Sequence, residues 1–285
     1  MFAGAAVAVE LKLGHYAPES HPANQAALMM AKGVAERTNG EVTIKIYPAN
    51  KLGDGNEVLE QQMNGVVDLS LPTQPMLDKY GEKGNKPFAV VMLPFVYKDA
   101  QHAWRVLDGP FAEWIAPKFD ALELVHLANW EWGFRNLTNN KRAVRVPDDV
   151  NGLKIRVMSS ALHKTIWQTL GANPTPMPWP IYTELEQGVI DGQENPLWVM
   201  EVYKFYEIQK YMTLTRHVYS AHIDVASLTW WKTLPPATQA MIQEDGLQRK
   251  TAAAVAKIDA QAIELLRASK MDIKVSIPIH ISDAG

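Results

Sequence analysis

The stretches Val9-Glu10-Leu11-Lys12-Leu13-Gly14 and Val42-Thr43-Ile44-Lys45-Ile46-Tyr47 decide the fold. Each alternates apolar and polar residues, the period of a strand with one buried face. Between them, Ala27, Met30, Ala31 and Val34 mark one face of a helix that Asn39-Gly40 closes. After the second strand and Pro48, Asp54 with Glu57 forms a capping box opening a helix through Gln62. Val66 to Leu71 then reads as a short apolar strand. Strand, helix, strand, helix, strand in this rhythm implies a parallel α/β sheet with crossover helices.

The rhythm continues. A helix is expected around His102 to Ile115 and a strand around Leu122 to Ala128. A second α/β set follows: strand Leu153 to Val157, helix Ala161 to Leu170, a strand before Pro176, and a helix from Tyr182 to Gln187. Alternation returns in Val218 to Leu228. Pro235 and Pro236 suit the first turn of a helix running to about Ala268, long enough to lie across two domains. The expected architecture is therefore α/β and two-lobed, with a ligand cleft between lobes and a long helix spanning both. Lobe I takes residues 1–132 and 222–260; lobe II takes 133–221 and 261–285.

Bulk composition excludes several classes. The chain has 285 residues, 47% apolar and 21% charged, with a net charge of -3. That balance gives no electrostatic footprint for nucleic acid or an anionic membrane. There are no cysteines, so thiolate metal sites, disulfides and thiol nucleophiles are excluded. No apolar run approaches the roughly 20 residues that span a bilayer. The start, Met1 to Val9, is small and apolar; it reads either as the end of a secretory signal or as a ragged start. The eight histidines show no metal-ligand spacing. No dinucleotide, phosphate-loop or nucleophile-elbow motif occurs, so no cofactor, metal or catalytic residue is expected.

Three short stretches carry the chemistry: Gly133-Phe134-Arg135-Asn136, Gly152-Leu153-Lys154-Ile155-Arg156-Val157 and Asp191-Gly192-Gln193-Glu194-Asn195-Pro196. Arginine's planar fork matches a carboxylate bidentately, and asparagine both donates and accepts. Such a set can hold one small organic anion and lacks the parts to transform it. Spacing alone leaves Arg156 and Arg135 open between ligand contact and an ion pair with an acid of the same lobe. Trp130, Trp132 and Trp179 stand near candidate loops. Trp179, between Pro178 and Pro180, sits on rigid non-helical backbone, as a ligand wall would. In the loop Gly14 to Pro22, Ser20 or His21 is expected to cap the next helix.

These motifs resemble the substrate-binding proteins of TRAP transporters, the group of C4-dicarboxylate, sialic-acid and uronate binders, from about Leu11 to Ala268. Tyr47-Pro48, Lys51-Leu52-Gly53-Asp54, Leu93-Pro94-Phe95, Lys154-Ile155-Arg156-Val157, Gly171 to Met177 and Asp191 to Pro196 carry the likeness. The resemblance implies a periplasmic, non-enzymatic subunit that captures an organic acid by lobe closure and passes it to a membrane permease. It also implies a monomer, without nucleic acid or membrane insertion. It assigns the bidentate carboxylate contact to Arg156, an assisting contact to Arg135, the same ligand end to Asn195, and ring packing to Trp179. By position it adds His15, Tyr16, Glu19, Thr73, Gln74, Trp130, Glu131 and Trp132.

Aromatic surface beside hydroxyl-seeking groups fits a sugar acid, a uronate or aldonate, better than a C4-dicarboxylate, the alternative within the family. A rival of another class is a sugar-acid lyase or hydrolase using Glu131 or Glu19. The resemblance departs at both ends: the leader is short, and Ser276-Ile277-Pro278-Ile279-His280-Ile281 does not read like the expected last helix.

Overall fold

The alternation of the opening segments is realised as strands β1 (Val9–Gly14) and β2 (Val42–Tyr47), paired in parallel with Leu11 opposite Ile44. The structure is a computed structural model that describes residues 9–80, 87–243, 261–262, 264–269 and 271–275. The proposed leader and the 276–281 tail lie outside these residues, as does the middle of the expected long helix. Helix α1 (Pro22–Arg37) joins β1 to β2, and its Ala23, Ala27, Met30 and Val34 are buried. Asp54 and Glu57 make the expected capping box on α2 (Gly55–Met63). The strand expected at Val66–Leu71 is shorter, β3 (Leu69–Ser70).

Helices α3 (Gln74–Asp78), α4 (Ala100–Leu107) and α5 (Pro110–Asp120) follow. The single helix expected from His102 to Ile115 is thus two, divided at Gly109, where an added Cβ would lie 2.4 Å from the Arg105 carbonyl. The remaining strands are β4 (Leu124–Phe134), β5 (Asn136–Asn139), β6 (Lys154–Val157), β7 (Asn173–Pro176), β8 (Gly192–Asn195), β9 (Tyr211–Leu214), β10 (Tyr219–Ser227) and β11 (Asp272–Val275). The remaining named helices are α6 (Ala161–Thr169), α7 (Tyr182–Glu186), α8 (Leu197–Val202), α9 (Leu228–Trp231) and α10 (Pro236–Gln243).

The chain forms two compact units. Unit 1 comprises Met1–Val91, Gln101–Trp132 and Ala221–Val255; unit 2 comprises Met92–Ala100, Gly133–Ser220 and Ala256–Gly285. Residues 92–100 group with unit 2, not with the first lobe as expected, and the Phe95 N–H donates to the His217 carbonyl there.

Unit 1 holds a sheet ordered β2-β1-β3-β10-β4. One face carries Leu11, Leu13, Leu69, Leu71 and Trp130 against α1; elsewhere Leu59, Leu77, Phe119 and Val225 form a second core. Unit 2 holds the order β11-β9-β5-β8-β6-β7, with Ile155, Val157, Leu137 and Trp167 in its core. Neither sheet is purely parallel, as the rhythm had implied: β10 runs antiparallel to β3, and β5 antiparallel to β8 and β9. Strands β5 and β8 escape a pattern reading because they are short and polar in sequence, and β9 because it is only four residues long; β8 is Gly-Gln-Glu-Asn, all buried.

Gly192 is required where β8 meets β5, since an added Cβ would stand 2.1 Å from the Thr138 carbonyl. Gly192→Ala should therefore cost roughly 1–3 kcal/mol through forced backbone displacement. A thermal melt followed by circular dichroism should show a midpoint lowered by several degrees, and an unchanged midpoint would refute the close packing.

Candidate ligand-binding site

In unit 2, β6 places Arg156 by alternation. Ile155 and Val157 face the core with Trp167 of α6, so Arg156 projects from the other face. Its register partner on β8 is Gln193 and on β7 Thr175, both on that face. The guanidinium donates from Nε and Nη2 to the Met177 carbonyl, at 2.9 and 2.6 Å. It also lies 5.5 Å from the centre of the Trp179 ring. Trp179 is backed by Tyr203, edge to face at 4.7 Å, and by Phe205. Arginine and ring are thus held together. Asn195 is on the same face as Gln193, two residues along β8. Its Nδ2 donates to Gln193 Oε1 at 2.8 Å, and Gln193 Nε2 donates to Thr138 Oγ1 at 2.8 Å, a relay that fixes the Asn195 amide.

Arg135 does something else. It is 1% exposed and meets the buried Glu194 through Nε–Oε2 at 2.5 Å and Nη2–Oε1 at 2.9 Å. Its Nη2 also reaches the Glu194 carbonyl. Glu194 alternates with Gln193 and Asn195, so it points into the α6-side core, where His163 and His217 flank it. Burial alone would raise the Glu194 carboxyl, yet Arg135 and His163 hold it well below the usual range. The expected assisting contact from Arg135 to the ligand is therefore replaced by the ion-pair alternative. A cavity of about 410 Å³ also lies on this core side, against Leu137, Val144, Trp167 and His217.

In unit 1 a second set gathers at the ends of β1, β3, β4 and β10. Thr73 forms an isolated antiparallel bridge to His222, in register with the β3–β10 pairs three residues away. The Tyr16 ring stacks on His222 at 5.4 Å and 16°, with Tyr16 Oη 3.4 Å from His222 Nε2. Trp132 lies 4.3 Å from His222 and 5.6 Å from Tyr16. His15 Nε2 meets Asn24 Oδ1 at 3.2 Å. His21 caps α1, its Nδ1 accepting from the Ala23 N–H, as the sequence suggested. The Gln74 Oε1 accepts from the Ala221 N–H, whereas Gln74 Nε2 and Thr73 Oγ1 are buried without a partner in the protein.

Burial pushes His15 down to about 4. Burial and His15 push His222 down to about 3. Burial, with His222 and His15, sets His21 well below its ordinary value. Burial also raises the Asp224 carboxyl, two residues along β10, to about 8. At neutral pH this cluster carries no charge.

Three expected members are elsewhere. Trp130 shares Trp132's face of β4 but packs deep in the core with Leu11 and Leu69. Glu131 occupies the opposite face and accepts the Trp104 indole N–H at 2.5 Å. Glu19 is exposed and pairs with Lys51. The reading missed His222; the available signal was His222 and Asp224 interrupting the buried strand β10 at i and i+2. Among the described residues no group of three or more His, Asp or Glu could hold a metal ion. Nor is any helix among them long and apolar enough to cross a membrane.

Residues 13–283 match the family described as bacterial extracellular solute-binding protein, family 7. The chain belongs to that family. The 2,3-diketo-L-gulonate-binding periplasmic protein YiaO of Escherichia coli K12 is 33% identical over 253 residues, covering 86% of this chain and 76% of that protein. The C4-dicarboxylate-binding periplasmic protein DctP of Rhodobacter capsulatus is 31% identical, over 80% of this chain and 67% of that one. A TRAP solute-binding protein of Haemophilus influenzae, solved with bound L-gulonate, superposes with a TM-score of 0.87 at 30% identity, covering 94% of this chain and 88% of that one. The protein is a periplasmic TRAP solute-binding protein, not an enzyme, and its family binds small organic acids and works with TRAP membrane components.

Two outcomes follow from the buried charges. Arg135→Ala leaves Glu194 buried without its main counter-charge and should cost about 3–5 kcal/mol in denaturant unfolding; a loss below about 1 kcal/mol would refute the pairing. For Asp224, the unfolded carboxyl ionises near 4 while the folded one keeps its proton to about 8. The folded state binds more protons across that window, so this group lowers stability as pH rises. Asp224→Asn should therefore melt like the parent near pH 4 and increasingly above it towards pH 8.

Proposed function

We propose that the protein captures a sugar acid, a uronate or aldonate, as a monomer and delivers it to its permease. Arg156 takes the carboxylate, Trp179 covers it, and Asn195 assists. Tyr16, Trp132, Thr73, Gln74 and His15 take the hydroxyl-bearing remainder. The observation that carries the reading is the different placing of the two arginines: Arg135 is buried against Glu194, whereas Arg156 is held by the Met177 carbonyl beside the Trp179 ring.

The uncharged unit 1 cluster supports the same ligand class. Its groups donate and accept hydrogen bonds but offer no cation for a second carboxylate. The sugar acids that related proteins bind agree with this, while the dicarboxylate relative marks the alternative within the family. Charge-assisted hydrogen bonds contribute roughly 1.5–3 kcal/mol each, and micromolar affinity requires about 8 kcal/mol. Two or three such bonds with ring packing suffice.

Calorimetry against aldonates, uronates, succinate and malate tests the reading. Tight binding of a sugar acid, lost at least ~100-fold in Arg156→Ala with the circular-dichroism spectrum unchanged, is the expected result. Binding of succinate or malate alone would overturn the ligand class, and unchanged affinity in Arg156→Ala would overturn the site.

A further inference from the structure

We propose that Gln193 is a positioning residue that turns the Asn195 amide oxygen towards the ligand, so that the site selects an acid carrying a hydroxyl on C2, next to the carboxylate. The inference rests on Arg156 and Asn195 meeting the carboxylate end, as proposed above. All the groups involved belong to unit 2. Gln193 is sealed at 0% exposure, whereas Asn195, two residues along β8 on the same face, keeps 4%. A sealed amide acts on a ligand through its neighbour. Glu194, between them, is pinned on the opposite face by Arg135, so the pair cannot turn away.

The direction of the relay follows from what each atom can do. Gln193 Nε2 lies 3.1 Å from the Met200 thioether and 2.8 Å from Oγ1 of Thr138, its cross-strand partner on β5. A thioether sulfur only accepts, and an amide oxygen has no proton to give it. The Gln193 nitrogen therefore faces Met200, and Oε1 faces Asn195. Against that oxygen Asn195 presents Nδ2, at 2.8 Å, because two amide oxygens would repel. The relay takes Nδ2 and leaves the Asn195 Oδ1 outside it. That oxygen accepts and cannot donate. A carboxylate oxygen, equally without a proton, is repelled from it; a hydroxyl donates to it. Arg156 reaches the same strand-end level. Its guanidinium bonds the carbonyl of Met177, one residue past β7, and Asn195 is the last residue of β8, whose Gln193 is in register with Arg156. With the carboxylate on Arg156, the first ligand group able to donate is the hydroxyl on C2.

Calorimetry on the full chain with D-gluconate, D-galactonate and their 2-deoxy counterparts tests this, since each pair differs only in the C2 hydroxyl. Wild type should prefer the hydroxyl-bearing acid about tenfold, the effect of one ordinary hydrogen bond. Gln193→Leu frees the Asn195 amide to reverse, and the ratio of the two affinities should fall to near one. Gln193→Glu still offers an oxygen to Nδ2 and another to the Thr138 hydroxyl, so the ratio should persist although both acids bind more weakly beside the added charge. Thr138→Val, a gentler change one step further along the relay, should lower the ratio part of the way. Asn195→Ala should remove it, and the double variant Asn195→Ala/Gln193→Leu should lose no more, because the two residues act as one. A wild-type ratio near one, losses that add, or a Gln193→Leu variant weakened equally for both acids would reduce Gln193 to a packing residue and overturn the inference. A wild type that binds none of the four acids would overturn the sugar-acid reading itself.

Discussion

A carboxylate fully buried in unit 2, that of Glu194, sets the terms for the surrounding chemistry. A charge of this kind is strongly unfavourable in a core unless a counter-charge and hydrogen bonds surround it. Glu194 obtains these from Arg135, His163 and His217. The requirement has a consequence one residue along. Because side chains alternate on β8, committing Glu194 to the α6 side directs Gln193 and Asn195 to the other face, beside Arg156. The ion pair thus orients the asparagine and engages Arg135 within the unit 2 core.

Unit 1 manages its polar groups in the opposite way. Instead of pairing charges it suppresses them: three buried imidazoles stay neutral, and the buried Asp224 keeps its proton. Desolvation is the largest cause in each case, so the cluster needs no ion pairs. Unit 1 thus presents neutral hydrogen-bonding groups, whereas unit 2 pairs its buried carboxylate with an arginine.

Much of this was legible in the sequence where a physical period or a local cap was present. β1, α1, β2 and the α2 capping box follow from alternation, helical spacing and an Asp/Glu pair three residues apart. The face of β6 from which Arg156 projects was legible from strand alternation. Strand direction was not, because β10 and β5 pair antiparallel with β3 and β8, which lie far from them in sequence and leave no mark on local periodicity. Nor could spacing tell Arg135 from Arg156. Both follow glycine-bearing turns, and the difference lies in a glutamate 59 residues away that reaches only one of them.

Trp130, Glu131 and Trp132 are consecutive, and the family resemblance placed all three in one pocket by position. On a strand, however, neighbours diverge: Glu131 turns to Trp104, while Trp130 sinks below Trp132 into the core. His222, by contrast, is over two hundred residues from Tyr16 and still stacks on it, because β10 returns to lie beside β3. The ligand-facing composition of such a protein is set by which strand ends the sheet order brings together. For this chain that order places His222 against the Tyr16 and Trp132 rings.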